Sequence, residues 1–144
     1  MSKTAQNLKD AFAGESQANR KYLAFAERAE DEFLHGVAKL FRAVAAAETV
    51  HAHKHFRVMD GVKSTKENLE AALKGESYER GTMYPEFMKT ALEEKQKDAL
   101  RSFNFALEAA KAHAQLYKEA IDNLDTWKEG KKDFYVCEVC GYRT

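Results

Sequence analysis

The stretch AAAETVHAHKH at residues 45–55 sets a glutamate, Glu48, and a histidine, His51, three residues apart inside an alanine-rich segment. On a helix that spacing puts both side chains on one face. Neither is at home in a hydrocarbon core. A bare carboxylate buried among such neighbours would cost many kcal/mol or else take up a proton. The segment therefore calls for a long helix whose inward stripe is polar at one height, and for a counter-charge that meets it there.

Outward from this stretch the chain reads as all helix. One proline and seven glycines in 144 residues, with abundant Ala, Glu, Lys and Leu, leave few places for a helix to stop. The helix holding the stretch is expected from about Gly36 to Met59, ending at Asp60-Gly61, and a preceding one from about Thr4 to Asp31, ending at the break Phe33–Gly36. Ser64 or Thr65 can cap a third, running to about Glu93 with a kink or a local break at Pro85, and a fourth spans about Lys95–Leu124. Amphipathic helices of this length are buried most simply as an antiparallel four-helix bundle, residues 1–130, around one core. Residues 131–144 make a short tail in which DFYVC, 133–137, alternates like a strand.

An internal repeat constrains the bundle. Gly14-Glu15-Ser16 recurs as Gly75-Glu76-Ser77 at an offset of 61, and Phe41 with AETVHA, 47–52, matches Phe103 with AAKAHA, 109–114, at an offset of 62. The repeating unit is a pair of helices.

Each helix also carries a ligand-type residue on its core-facing stripe: Glu15 on the first, Glu48 and His51 on the second, Glu76 and Glu79 on the third, His113 on the fourth. Singly, a GES triplet or an ExxH reads as surface decoration, Glu76 and Glu79 as a solvated face, and His35, His53 and His55 as surface residues. Together they come near the pattern of carboxylate-bridged dimetal bundles, one Glu from each of two helices and Glu-x-x-His from each of the other two. Carboxylate and imidazole suit iron, manganese or zinc better than calcium. Tyr22 and Tyr84 lie within about two turns of proposed ligands, close enough for a phenol to donate to a ligating carboxylate.

The charge balance excludes other classes. Lys and Arg number 23, as do Asp and Glu, and the two signs are interspersed along every helix, so no basic field favours nucleic acid or an anionic membrane. No apolar run approaches a membrane span and the N-terminus lacks a secretory apolar stretch, so a cytoplasmic protein is expected.

With these residues in view, the chain resembles rubrerythrin, a ferritin-like di-iron family. The resemblance rests on AFAGES at 11–16, LFRAVAAAETVHA at 40–52, KGESYE at 74–79, MYP at 83–85, ALEAAKAHA at 106–114 and CxxCGY at 137–142. It implies a peroxidase that reduces hydrogen peroxide to water at two iron ions, with Glu15, Glu48, His51, Glu76, Glu79 and His113 as ligands. His51 and His113 would each hold one metal, Glu79 would be the redox-shifting ligand exchanging with His51, and Tyr22 and Tyr84 would be the supporting tyrosines. A homodimer, in some members helix-swapped, is implied too. The rival readings are a ferritin-like ferroxidase or iron-handling protein, and a zinc- or otherwise metal-binding protein impaired in its chemistry.

Two departures stand out. Where the family has Glu-x-x-His on its last helix, this chain has Ala110-Lys111-Ala112-His113, and the internal repeat aligns Ala110 with Glu48. Glu108 lies about 140° around the helix from His113 and cannot replace the missing carboxylate. The second ion is therefore expected to bind more weakly or asymmetrically. The family's rubredoxin-type site needs four thiolates, and one CxxC, Cys137 and Cys140, supplies two. A second subunit or a longer gene product would complete an iron or zinc site there; otherwise the pair is an unligated dithiol. With half of a rubredoxin module, an external rubredoxin or reductase is the expected electron donor.

Overall fold

The computed structural model describes residues 2–130 and 132–142. It is all-α, with four long helical segments as expected for the ferritin-like class. Helix α1 is Lys3–Asp31 and α2 is His35–Val58; the third segment is α3, Thr65–Tyr78, a π-helical turn, Glu79–Met83, and α4, Tyr84–Glu93; the fourth is α5, Lys97–Asp122. A 3-10 turn, Leu124–Trp127, follows. The chain divides into two compact units, Met1–Lys63 and Ser64–Thr144.

The first unit is a helical hairpin. Ser2 caps α1 by accepting from the Ala5 N–H at 3.1 Å. Its helices approach closely because the facing residues are alanines: Ala26, Ala29, Ala38, Ala45 and Ala52 are all buried. One polar side chain is buried with them. Asn19 Nδ2 donates to the Ala45 carbonyl at 2.7 Å and to Thr49 Oγ1 at 2.8 Å, tying α1 to α2 one turn from Glu15 and Glu48. Replacing Asn19 with Ala removes both bonds and should lower stability by about 1–3 kcal/mol, read from urea unfolding.

The hairpin's far end is closed by the left-handed Asp60, φ 57°. The Gly61 N–H then reaches back to the Phe56 carbonyl at 2.9 Å. A Cβ on Gly61 would fall 2.2 Å from the Phe56 ring, and that ring is already stacked on Phe12 with centroids 4.9 Å apart. Gly61→Ala should therefore cost about 1–3 kcal/mol by overpacking, measured in the same unfolding experiment.

The second unit repeats this plan. Ser64, rather than Thr65, caps α3 in a capping box with Glu67. Phe33 (φ 60°) and Lys95 (φ 58°) turn the chain at the ends of α1 and α4. The Leu34 N–H bonds to the Ala29 carbonyl, as the Gln96 N–H does to Ala91, each at 2.8 Å. Tyr22, Phe25 and Phe41 form a ring cluster with centroids 6.3, 6.2 and 5.6 Å apart. Tyr84, Phe87 and Phe103, each 62 residues later, form its copy at 6.4, 6.4 and 5.6 Å.

The repeat also explains the π-helical turn. Glu15 maps onto Glu76 at an offset of 61, but Tyr22 maps onto Tyr84 at 62, so the second unit holds one extra residue between Ser77 and Tyr84. The Tyr84 N–H bonds to the Glu79 carbonyl, five residues back, which is how a helix absorbs one residue. Pro85 falls in the first turn of α4, where its missing N–H costs nothing. The break expected at Pro85 is this turn, and Glu79, the carboxylate without a counterpart in α1, begins it.

DFYVC departs from expectation. No strand forms among the described residues there. Phe134 instead stacks on Trp127 at 5.9 Å. Lys132 sits over the Trp127 ring at 4.8 Å and also pairs with Glu119 of α5. The tail is held by these side-chain contacts to Trp127 and to Glu119 of α5.

Candidate metal centre

In the first unit α1 presents Glu15 and α2 presents Glu48 and His51 to a common point. His51 Nδ1 lies 3.0 Å from Glu48 Oε2 and 3.2 Å from Glu15 Oε2. One ligand atom from each of the three residues falls within 4.8 Å of the other two. The carboxylates are half-buried and the imidazole is exposed. The Glu48 carboxyl is held below its ordinary range, chiefly by a hydrogen bond shared with Glu15 and next by His51. His51 is pushed up, by Glu48 first and Glu15 second. Two oxygens and an imidazole nitrogen at this separation are a donor set for iron, manganese or zinc. Tyr22 packs on Phe25 and Phe41; among the described residues its hydroxyl makes no hydrogen bond to these ligands.

In the second unit α3 presents Glu76, the π-helical turn presents Glu79, and α5 presents His113. His113 Nδ1 lies 3.4 Å from Glu76 Oε1. Burial pushes the Glu79 carboxyl up, Glu76 adds to the shift, and His113 partly offsets it. Tyr84 is pushed up by burial, then by Glu79 and Glu76. These four side chains line a cavity of about 440 Å³ together with Ala110, which is 1% exposed, and Cys140. Among the described residues only Glu15, Glu48 and His51 bring three ligand atoms within 4.8 Å of one another, so the two halves are unequal. Glu108 is turned away, in an exposed pair with Lys111 at 2.6 Å. His35 belongs to an exposed cluster with Glu30 and Arg42.

The family model for rubrerythrin matches residues 6–121. The chain belongs to the rubrerythrin family. It is 37% identical to rubrerythrin-2 of Clostridium acetobutylicum over 158 aligned positions, covering 98% of this chain and 85% of that one. It is 35% identical to nigerythrin of Nitratidesulfovibrio vulgaris, covering 96% and 75%. A solved structure of nigerythrin in a partially reduced state is 33% identical with a TM-score of 0.55, covering all of this chain and 77% of that one. Membership supports an oxidoreductase in general terms, and the first unit's triad is a site able to hold metal.

Sequence reasoning gave Asn19 no role, although its side chain fixes α1 against α2 beside the rubrerythrin triad. The signal was present: a short amide on the inward stripe between Glu15 and Tyr22.

The CxxC forms a compact turn. The Gly141 N–H donates to the Cys137 carbonyl and the Cys137 N–H to the Tyr142 carbonyl, each at 2.8 Å. Gly141 adopts φ 71°, which a side chain would strain. Both thiols are free, Cys137 exposed and Cys140 half-buried. Hydrogen bonds from the Cys140 and Val139 backbone lower the Cys137 thiol.

Proposed function

We propose that this chain is a non-haem di-iron peroxidase reducing hydrogen peroxide to water in oxidative-stress defence, with electrons from an external rubredoxin-type donor. The observation that carries the reading is the convergence of Glu15, Glu48 and His51 on a point suited to one ion. Glu76, Glu79 and His113 supply ligands for the second. Bound iron would provide electrons and Lewis acidity for cleaving the O–O bond. The protein's own part is to position and to move protons. Glu48 and Glu15 hold the His51 imidazole from one side, which orients its ring. Glu79, its carboxyl raised by burial and by Glu76 in the empty site, would give up that proton on binding an ion. The Tyr84 phenol stays protonated beside it as a donor. Under the same reading residues 131–144 are a partial rubredoxin-like module, and the chain works in the cytoplasm as a homodimer.

Anaerobic loading with ferrous iron, followed by parallel peroxide and dioxygen challenges with rubredoxin as donor, tests this. Faster turnover of peroxide is expected. Faster reaction with dioxygen would make the chain a ferroxidase, and no peroxide consumption would leave a metal-binding protein impaired at Ala110.

The triad also sets a pH dependence. His51, raised above the ordinary imidazole value of about 6.5, pairs as an imidazolium with Glu48 in the apo-protein below its raised pKa. That stabilisation is complete below the unfolded pKa and is lost as pH rises through the folded one; Glu48's share is lost as pH falls through its lowered pKa. A metal ion must displace the imidazolium proton. Affinity should therefore fall with decreasing pH below His51's raised pKa. Calorimetry in buffers of different ionisation enthalpy should show proton release, and equal heats in all buffers would contradict it.

A further inference from the structure

Asn19 is the one buried polar side chain among the described residues, in an α1–α2 contact whose buried residues are otherwise alanines. Burying an amide carries a desolvation cost that an alanine there would avoid, so its presence calls for a reason besides stability. Position supplies one. Glu15 lies 18 residues from the turn at Phe33. That is roughly 27 Å along the helix, so a change of about 5° between the helices at the turn would move Glu15 by roughly 2 Å. Alanine methyl groups make shallow ridges, which let two helices come close but fix their relative height weakly. The amide fixes it directionally. Its Nδ2 donates to the Ala45 carbonyl at 2.7 Å and to Thr49 Oγ1 at 2.8 Å, and Thr49 Oγ1 donates to the same carbonyl at 3.2 Å. Asn19 is one turn past Glu15, Ala45 is three residues before Glu48, and Thr49 is the residue after it. These bonds therefore pin α1 to α2 at the height of the ligands.

The second unit is an internal control. At an offset of 62 Ala45 and Thr49 map onto Leu107 and Lys111, and Asn19 maps onto Arg80 or Gly81, at 61 or 62, inside the π-helical turn. Lys111 pairs with Glu108 on the exposed side of α5. No amide stands at this place in the second unit. The hairpin with the amide brings three ligand atoms within 4.8 Å of one another; among the described residues the hairpin without it does not.

We propose that Asn19 is a positioning residue for the first unit's metal site. Its two hydrogen bonds set Glu15 level with Glu48 and His51 before an ion arrives, so binding does not have to align two helices at its own expense of entropy. The proposal rests on reading Glu15, Glu48 and His51 as metal ligands and is independent of the peroxide reaction.

The test titrates the full metal-free chain with zinc by calorimetry and with cobalt(II) by visible absorption. The triad's event is the one that Glu48→Gln removes. Asn19→Ala should weaken that event at least about tenfold, the lower end of what supporting partners of metal ligands contribute. It should also change the position or intensity of the cobalt bands, which report ligand geometry. Thr49→Val keeps the side chain's shape and removes one acceptor. It should act in the same direction to a smaller degree, and it decides the matter if Asn19→Ala does not fold. Ala29→Gly destabilises the same hairpin roughly 21 Å from Glu15. It should leave zinc affinity within about twofold of wild type and the cobalt bands unchanged. In a Glu15→Gln background the α1 ligand is gone, so adding Asn19→Ala should weaken zinc binding no further. Wild-type zinc affinity and cobalt bands in Asn19→Ala would overturn the proposal, as would an equal loss in Ala29→Gly. Should Glu48→Gln remove no event from the wild-type titration, the metal-site reading itself falls and takes the proposal with it.

Discussion

Glu48→Gln should abolish tight metal binding by the first unit and reduce peroxide turnover to near background. The carboxylate of Glu48 accepts from His51 at 3.0 Å and is one of three ligand groups that converge there. The amide keeps the shape and removes the charge. Replacing a partner outside the ligand set typically costs about 10–100-fold in metal affinity, so a loss of at least about a hundredfold is expected for a ligand itself. The apo-variant tells the same story from the other direction. His51 is raised mainly by Glu48, so its imidazole resonances should titrate at lower pH in the variant. Metal content after dialysis, a histidine titration by NMR and a helical circular dichroism spectrum matching wild type would together assign the effect to the site. An unchanged ion stoichiometry would refute the assignment.

Most of this site was legible because helical periodicity is local. A residue three or four positions away is a neighbour whatever the rest of the chain does, so Glu48 and His51 could be paired from spacing alone. Glu15 needed one further step, that the polar centres of two inward stripes meet at equal height, and the structure brings it within 3.2 Å of His51. What stayed hidden involves either a change of period or a contact distant in sequence. The π-helical turn left its mark as the shift of the repeat offset from 61 to 62, but a one-residue change has no compositional signature beyond Pro85. DFYVC alternates as a strand would, yet a strand needs a partner. Here Trp127 and Glu119, in the elements just before the tail, hold Phe134 and Lys132 instead. Cys140 reaches the cavity through the same returning tail, and no spacing rule connects position 140 to Glu79.

Ala110→Glu should strengthen the second unit's metal site and weaken the empty protein. Ala110 sits where the repeat places the partner of Glu48, three residues before His113, and is 1% exposed. The cavity of about 440 Å³ gives the longer side chain room. Without metal, a third carboxylate joins Glu76 and Glu79, where Glu79 is already pushed up by burial and by Glu76. One of the three must then hold a proton or repel its neighbours, and a cost of about 1–3 kcal/mol follows. With metal the added charge becomes a ligand, and affinity for the second ion should rise by about tenfold or more. Binding to the folded state alone converts that affinity into stability, so the metal-induced rise in Tm should be larger than in wild type even though the apo Tm is lower. Calorimetric titration with ferrous or zinc ion should change from two unequal events toward two similar ones, and iron-loaded peroxide turnover should increase. A wild-type titration already showing two equally tight ions would mean that Ala110 leaves no deficit, because some other donor completes the second site.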